Sequence, residues 1–225
     1  MKESCLYNIL RETAWWALPL IVVTLSQIAG PVRAAETIDE VLAVVDQNPI
    51  LLSDLALARL VGLAPPSQET GIEEDHSPLD ARIRLELQYL DLVASGAMQH
   101  LEIDVGRQLQ LMSAHAGDEV GFRKTLSEHG LEWEDVEALA LRVAAVHSWV
   151  ERHLRPRVTV TVRDVEQAYQ RVIVEPMREV GTEPPSLAHV NEELRRLVSE
   201  EKLNAEVKRW TDQGRERHRV TRFVE

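Results

Sequence analysis

The stretch LEWEDVEALALRVAAVHSWVERHLRPRVTVTVRDVEQAYQ, Leu131–Gln170, decides the fold class. Within it Trp133, Val136, Leu139, Ala140, Val143, Val146, Val150 and Leu154 recur mostly at three- and four-residue steps. That spacing lines up one face of a helix over about six turns. Pro156 ends the run, because its ring lacks an amide hydrogen and clashes with the preceding turn. Thr161 and Asp164 then have the spacing of a capping box with a shorter acid, which predicts a second helix from about Val162.

Upstream, Ile83, Leu87, Leu90, Ala94, Ala97 and Leu101 make another helical stripe, widened by Leu85 and Leu92. Asp104 reads as the cap of a helix ending at Gly117, and Asp118 as the cap of one ending at Gly130. Before these, Gly62–Pro78 holds Pro65, Pro66, Gly71 and Pro78 among like-charged Glu69, Glu73, Glu74 and Asp75, the composition of an extended, solvated linker.

The segment IDEVLAVVDQNPILLSDL, Ile38–Leu55, changes the pattern. Val41–Val45 is a β-branched and apolar run that predicts a strand, Asn48-Pro49 a turn, and Ile50–Leu52 the returning strand. Ser53 then caps a helix through about Val61. Downstream of Leu131–Gln170, a break is expected over Glu175–Pro185. The final helix follows from its Ser186 cap, with Leu187, Val190, Leu194, Leu197, Val198, Leu203, Val207 and Trp210 as stripe and Gly214 as stop. The tail HRVTRFVE is strand-like at Arg219–Val224. An isolated hairpin is marginal in water, so the tail is expected to pair with Val41–Val45. The fold class is therefore mostly α: several helices with a small β element joining the N-terminal hairpin to the C-terminal strand.

Composition narrows the function. Lys and Arg number 25 against 37 Asp and Glu, a net charge of −12, which disfavours a nucleic-acid binder. Apolar residues at 44% fit a folded globular chain. The single cysteine, Cys5, excludes a disulfide scaffold. Ala14–Ala29 is apolar but interrupted by Pro19, short for a membrane span, and is followed by Val32-Arg33-Ala34, which suits cleavage after Ala34. Lys2 and Arg11 are balanced by Glu3 and Glu12, so an uncleaved inner-membrane anchor is the rival to a signal peptide over residues 1–34. After cleavage no span is expected.

The order and spacing of these motifs resemble the SurA family of periplasmic chaperones. IDEVLAVVDQNPILLSDL is similar to that family's opening strand, turn and Ser-Asp helix start, and Leu131–Gln170 to its long helix and the Val-Thr-Val-Thr passage after it. The last helix with HRVTRFVE resembles the family's returning C-terminal helix and strand. Family members usually carry one or two parvulin prolyl-isomerase domains of roughly a hundred residues before that last helix. Tyr169 to Leu187 leaves no room for one. The resemblance implies a division into 1–34 signal peptide, 35–172 N-terminal helical chaperone domain, 173–185 linker in place of the parvulin domain, and 186–225 C-terminal helix and strand packing back. It implies a periplasmic, ATP-independent holdase for unfolded or nascent outer-membrane and secreted polypeptides, working through an apolar groove between the helical body and the last helix. The alternatives are a prolyl isomerase activity carried over from relatives and an envelope adapter with one fixed partner.

The residues offer little catalytic chemistry of their own. There is no Gly-rich phosphate loop and no Gly-x-Ser-x-Gly turn. His147, Glu151 and His153 do not converge on one helical face as a zinc site requires, and Ser53 and Ser186 stand where helices begin. The expectation is no catalysis, no metal and no cofactor. Met98, Met112, Phe122, Trp133 and Trp149 are the candidates for client contact, because Met adapts its shape and aromatic rings supply large contact area.

Overall fold

A computed structural model of the chain describes residues 39–63, 77–117 and 119–224. The segment 1–34 expected to be a signal peptide, most of the expected linker 62–78 and the expected Asp118 cap lie outside them. The described residues form a mostly helical fold with one small antiparallel sheet of order β2-β1-β3.

Strand β1 is Val41–Val45, β2 is Asn48–Leu51 and β3 is Val220–Arg222. The turn between β1 and β2 is Asp46-Gln47 rather than Asn48-Pro49. Asp46 takes the left-handed conformation the turn needs (φ 55°), which aspartate tolerates better than most residues. Pro49 instead sits in β2 opposite Val44, and β2 is an edge strand, where a missing amide hydrogen does no harm. An extra residue between Val41 and Ala43 makes a bulge, which lets the consecutive residues Leu42 and Ala43 both face the interior.

The expected return of the chain's tail is present. Ala43, Val44 and Val45 pair with Arg222, Thr221 and Val220. The seam extends through Asp46 N to Arg219 O at 2.8 Å and Phe223 N to Leu42 O at 2.9 Å. Asp46 closes it from the side: its carboxylate meets His218 Nδ1 at 2.7 Å and accepts the Arg219 amide at 2.8 Å.

Helix α1 spans Leu52–Leu60, α2 Pro78–Ala94, α3 Val105–Ala116, α4 Glu119–Glu128 and α5 Trp133–Trp149. The start of α1 is capped by Asp54, which accepts the Leu51 amide at 2.8 Å, and not by Ser53. Ser53 lies inside the first turn and bonds Asp39. The stripe expected to run from Ile83 to Leu101 is broken at Gly96 (φ 71°), after which Ala97–His100 is a short 3₁₀ turn. Asp104 caps α3 as expected, accepting the Arg107 amide at 2.8 Å.

Helix α6 is Val162–Tyr169, α7 Glu175–Glu179 and α8 Leu187–Arg217. The Thr161–Asp164 box is formed in both directions, at 3.2 and 2.8 Å. Two π-helical turns, Val150–Leu154 and Gln170–Val174, each precede a proline, Pro156 and Pro176. A wider turn relieves the clash between a proline ring and the carbonyl one turn earlier. The chain therefore stays helical through Pro176 to Glu179, where a break was expected. Helix α8 likewise continues past Gly214 to Arg217, whose guanidinium pairs with Asp91 at 2.8 Å.

Candidate functional site

The five client-contact candidates belong to two separate cores. Met112 and Phe122, only 1% and 2% exposed, are enclosed with Leu57, Leu126, Val136 and Leu139, so neither offers surface in this arrangement. Trp133 packs against that core edge-to-face with Phe122, ring centres 6.0 Å apart, and carries the Arg123 guanidinium 4.5 Å over its ring. Met98 and Trp149 are half-buried against a second core of Leu92, Leu154, Leu203 and Trp210. Trp149 stacks on His153 at 3.8 Å. Leu92, Leu203 and Trp210 pack in the seam between α2 and α8, where the open groove was expected.

The described cavities lie elsewhere. One, of about 210 Å³, opens between α1, α2 and α5 and is walled by Ala58, Leu63, Ala81, Leu85, Leu139 and Val143, with Pro78 and Arg82 beside them. A second of the same size lies next to it at the edge of β2, walled by Asn48, Pro49, Asp54, Glu86, Asp135 and Arg142. Arg82 and Leu139 belong to both walls, so the two cavities adjoin. A shallower recess of about 520 Å³ lies beside Tyr169 and Leu187, among the polar side chains of α6.

The polar cavity contains a buried ionic network. Arg82 Nη1 and Arg142 Nε both donate to Glu86 Oε2, at 2.8 and 2.9 Å. Arg142 also donates to Ala138 O at 2.9 Å, and Arg82 Nη2 stands 3.8 Å from Asp54 Oδ1. The inner members are closed from water, with Glu86 at 2% and Arg82 at 7% side-chain exposure, while Arg142 at 23% and Asp54 at 29% form the outer layer. Two atoms of this network have no partner among the described residues: Glu86 Oε1, an acceptor, and Arg82 Nε, a donor. An unpartnered buried polar atom costs stability, so native proteins keep few of them.

No Ser, Thr, Cys or His side chain lines either cavity, and what remains is an apolar socket beside a matched donor and acceptor. The network escaped the sequence reading because Arg82 and Glu86 look like an ordinary i,i+4 surface pair. Its one trace is position: Arg82 lies three residues after Leu79, and Glu86 three after Ile83 and four before Leu90, which puts both on the buried face.

No protein-family model and no curated protein matches this chain. Among the described residues, no cluster of His, Cys, Asp and Glu is grouped to hold a metal ion, and no helix is long and apolar enough to cross a membrane.

Proposed function

We propose that this protein is an ATP-independent holdase, exported to the periplasm by residues 1–34, that keeps unfolded outer-membrane or secreted polypeptides soluble without acting on them chemically. The observation that carries this reading is the apolar cavity left open between α1, α2 and α5. Its volume suits one large aliphatic or aromatic side chain; dry apolar cavities of about 150 Å³ hold a benzene ring. Burying one such side chain contributes roughly 1.5–3 kcal/mol, whereas micromolar binding needs about 8 kcal/mol. The client is therefore held at several points. Leu111, Val120 and Phe223, each more than half exposed, are available for the others. The net charge of −12 keeps a loaded complex soluble. The resemblance to the SurA family supports the same reading, since it implies the return of the last helix and strand to the N-terminal hairpin.

The test is dilution of a denatured outer-membrane β-barrel into buffer without nucleotide. An equimolar amount of the purified protein is expected to suppress light scattering. Aggregation at the rate of the unprotected barrel would refute the proposal.

A further inference from the structure

We infer that the polar cavity beside the apolar one is a site for a main-chain amide of the held polypeptide. The inference rests on the holdase reading and specifies what the client must present. Glu86 Oε1 lacks a donor and Arg82 Nε lacks an acceptor. One residue of an extended chain supplies both on the same side, its own N–H for the carboxylate and its own C=O for the guanidinium. The common wall of Arg82 and Leu139 puts this pair next to the socket for a side chain. That residue can then place its side chain in the apolar cavity and its own N–H and C=O toward the polar one. A bare cation would satisfy Glu86 and leave Arg82 Nε without a partner. An anion would do the reverse.

As the cavity stands, neither atom touches solvent. Asp54 and Arg142, the more exposed members of the network, must part for a ligand to enter. The opening is small: the Asp54–Arg82 contact is already loose at 3.8 Å, and Arg142 keeps its bond to Ala138 O. Sequence recognition is minimal in such a site, because every peptide has amides and only the neighbouring side chain must be apolar. Discrimination lies between an extended chain, whose amides are free, and a folded one, whose amides are already bonded.

The test uses a leucine-rich, end-capped hexapeptide and its copy with one central amide replaced by an ester, titrated against the full protein by calorimetry. The ester keeps shape and side chains and removes one N–H. Loss of a hydrogen bond to a charged group weakens binding by about tenfold or more. In Glu86→Gln that preference for amide over ester is expected to shrink, whereas a merely structural effect would weaken both peptides alike. If Glu86→Gln does not fold, the peptide pair on the unaltered protein decides. Equal affinity for amide and ester at every central position overturns the amide site and leaves the holdase reading standing. Failure of the hexapeptide to bind while the denatured barrel is still held also overturns it. If neither peptide nor barrel is held, the holdase reading fails first.

Discussion

Gln88 Nε2 donates to Thr211 Oγ1 at 2.7 Å inside the seam of α2 and α8, joining residues 123 positions apart. The Thr211 hydroxyl passes its own hydrogen to Val207 O at 2.9 Å, so both groups are satisfied away from water. One turn of α2 further on, Trp210 Nε1 donates to Asp91 at 2.7 Å. The last helix is thus fixed to the body by polar contacts set among apolar ones, which gives it one register along α2.

Thr211→Val keeps the shape and removes the acceptor. The Gln88 amide is then buried without a partner, which is expected to cost about 1–3 kcal/mol. Chemical denaturation reads this as a lower midpoint at unchanged slope, and the pair Thr211→Val with Gln88→Leu should recover part of the loss. An unchanged midpoint in the single variant would show that the seam is held by its apolar contacts alone.

Glu86→Ala removes the shared acceptor of Arg82 and Arg142. Arg82, at 7% exposure, is left among the described residues with only the 3.8 Å contact to Asp54, and the loss is expected to be roughly 3–5 kcal/mol. Replacing the inner pair together, Arg82→Met with Glu86→Leu, should restore most of it, because the desolvation of both charges is removed as well. Thermal denaturation of the single and double variants checks the order.

Acid should weaken the fold through two carboxylates that tie distant elements together. Asp164 accepts from Lys202 Nζ at 2.6 Å and from Thr161, and these bonds, Lys202 first, hold its carboxyl below the ordinary range. Asp46 is lowered by His218 first and then by the Arg219 amide. A folded-state pKa below the unfolded one means stability that is full above the ordinary carboxylate value of about 3.9 and is lost as pH falls through the folded value. Asp164→Asn is therefore expected to be less stable than the parent at neutral pH, with the difference closing below about pH 4. A difference independent of pH would assign the effect to the cap geometry instead.

Ala81→Leu fills the apolar cavity from the α2 side. Stability should change by less than about 1.5 kcal/mol, since the space is already empty, while the protein's ability to hold a denatured barrel falls. Undiminished holding in a folded Ala81→Leu variant would remove this cavity from the mechanism.

The long regular features were legible in the sequence. The α5 stripe from Trp133 to Val146, the Thr161–Asp164 box and the pairing of the tail with Val41–Val45 follow from periodicity, hydrogen-bond stoichiometry and the instability of a lone hairpin. The turn was misread because Pro49 is a strong local signal whose meaning depends on whether its strand has an outer neighbour. Pro176 was misread as a stop because a π-helical turn accommodates it, and nothing in Gln170–Val174 announces that. The candidate site was hardest. Met112 and Phe122 suit a client surface by chemistry, but whether a side chain faces out depends on which helices close over it. The charges Arg82 and Glu86 gave the opposite error, for the same reason.

Strand β1 receives its first neighbour from residues only a few positions later, but its second from Val220–Arg222. Hairpin formation is a microsecond event, whereas the second pairing needs a contact between segments far apart in sequence. Until that contact forms, the middle strand is half satisfied. During that interval the unpaired edge of Val41–Val45 is a place where a growing chain can be captured by another, and completing the sheet removes that hazard.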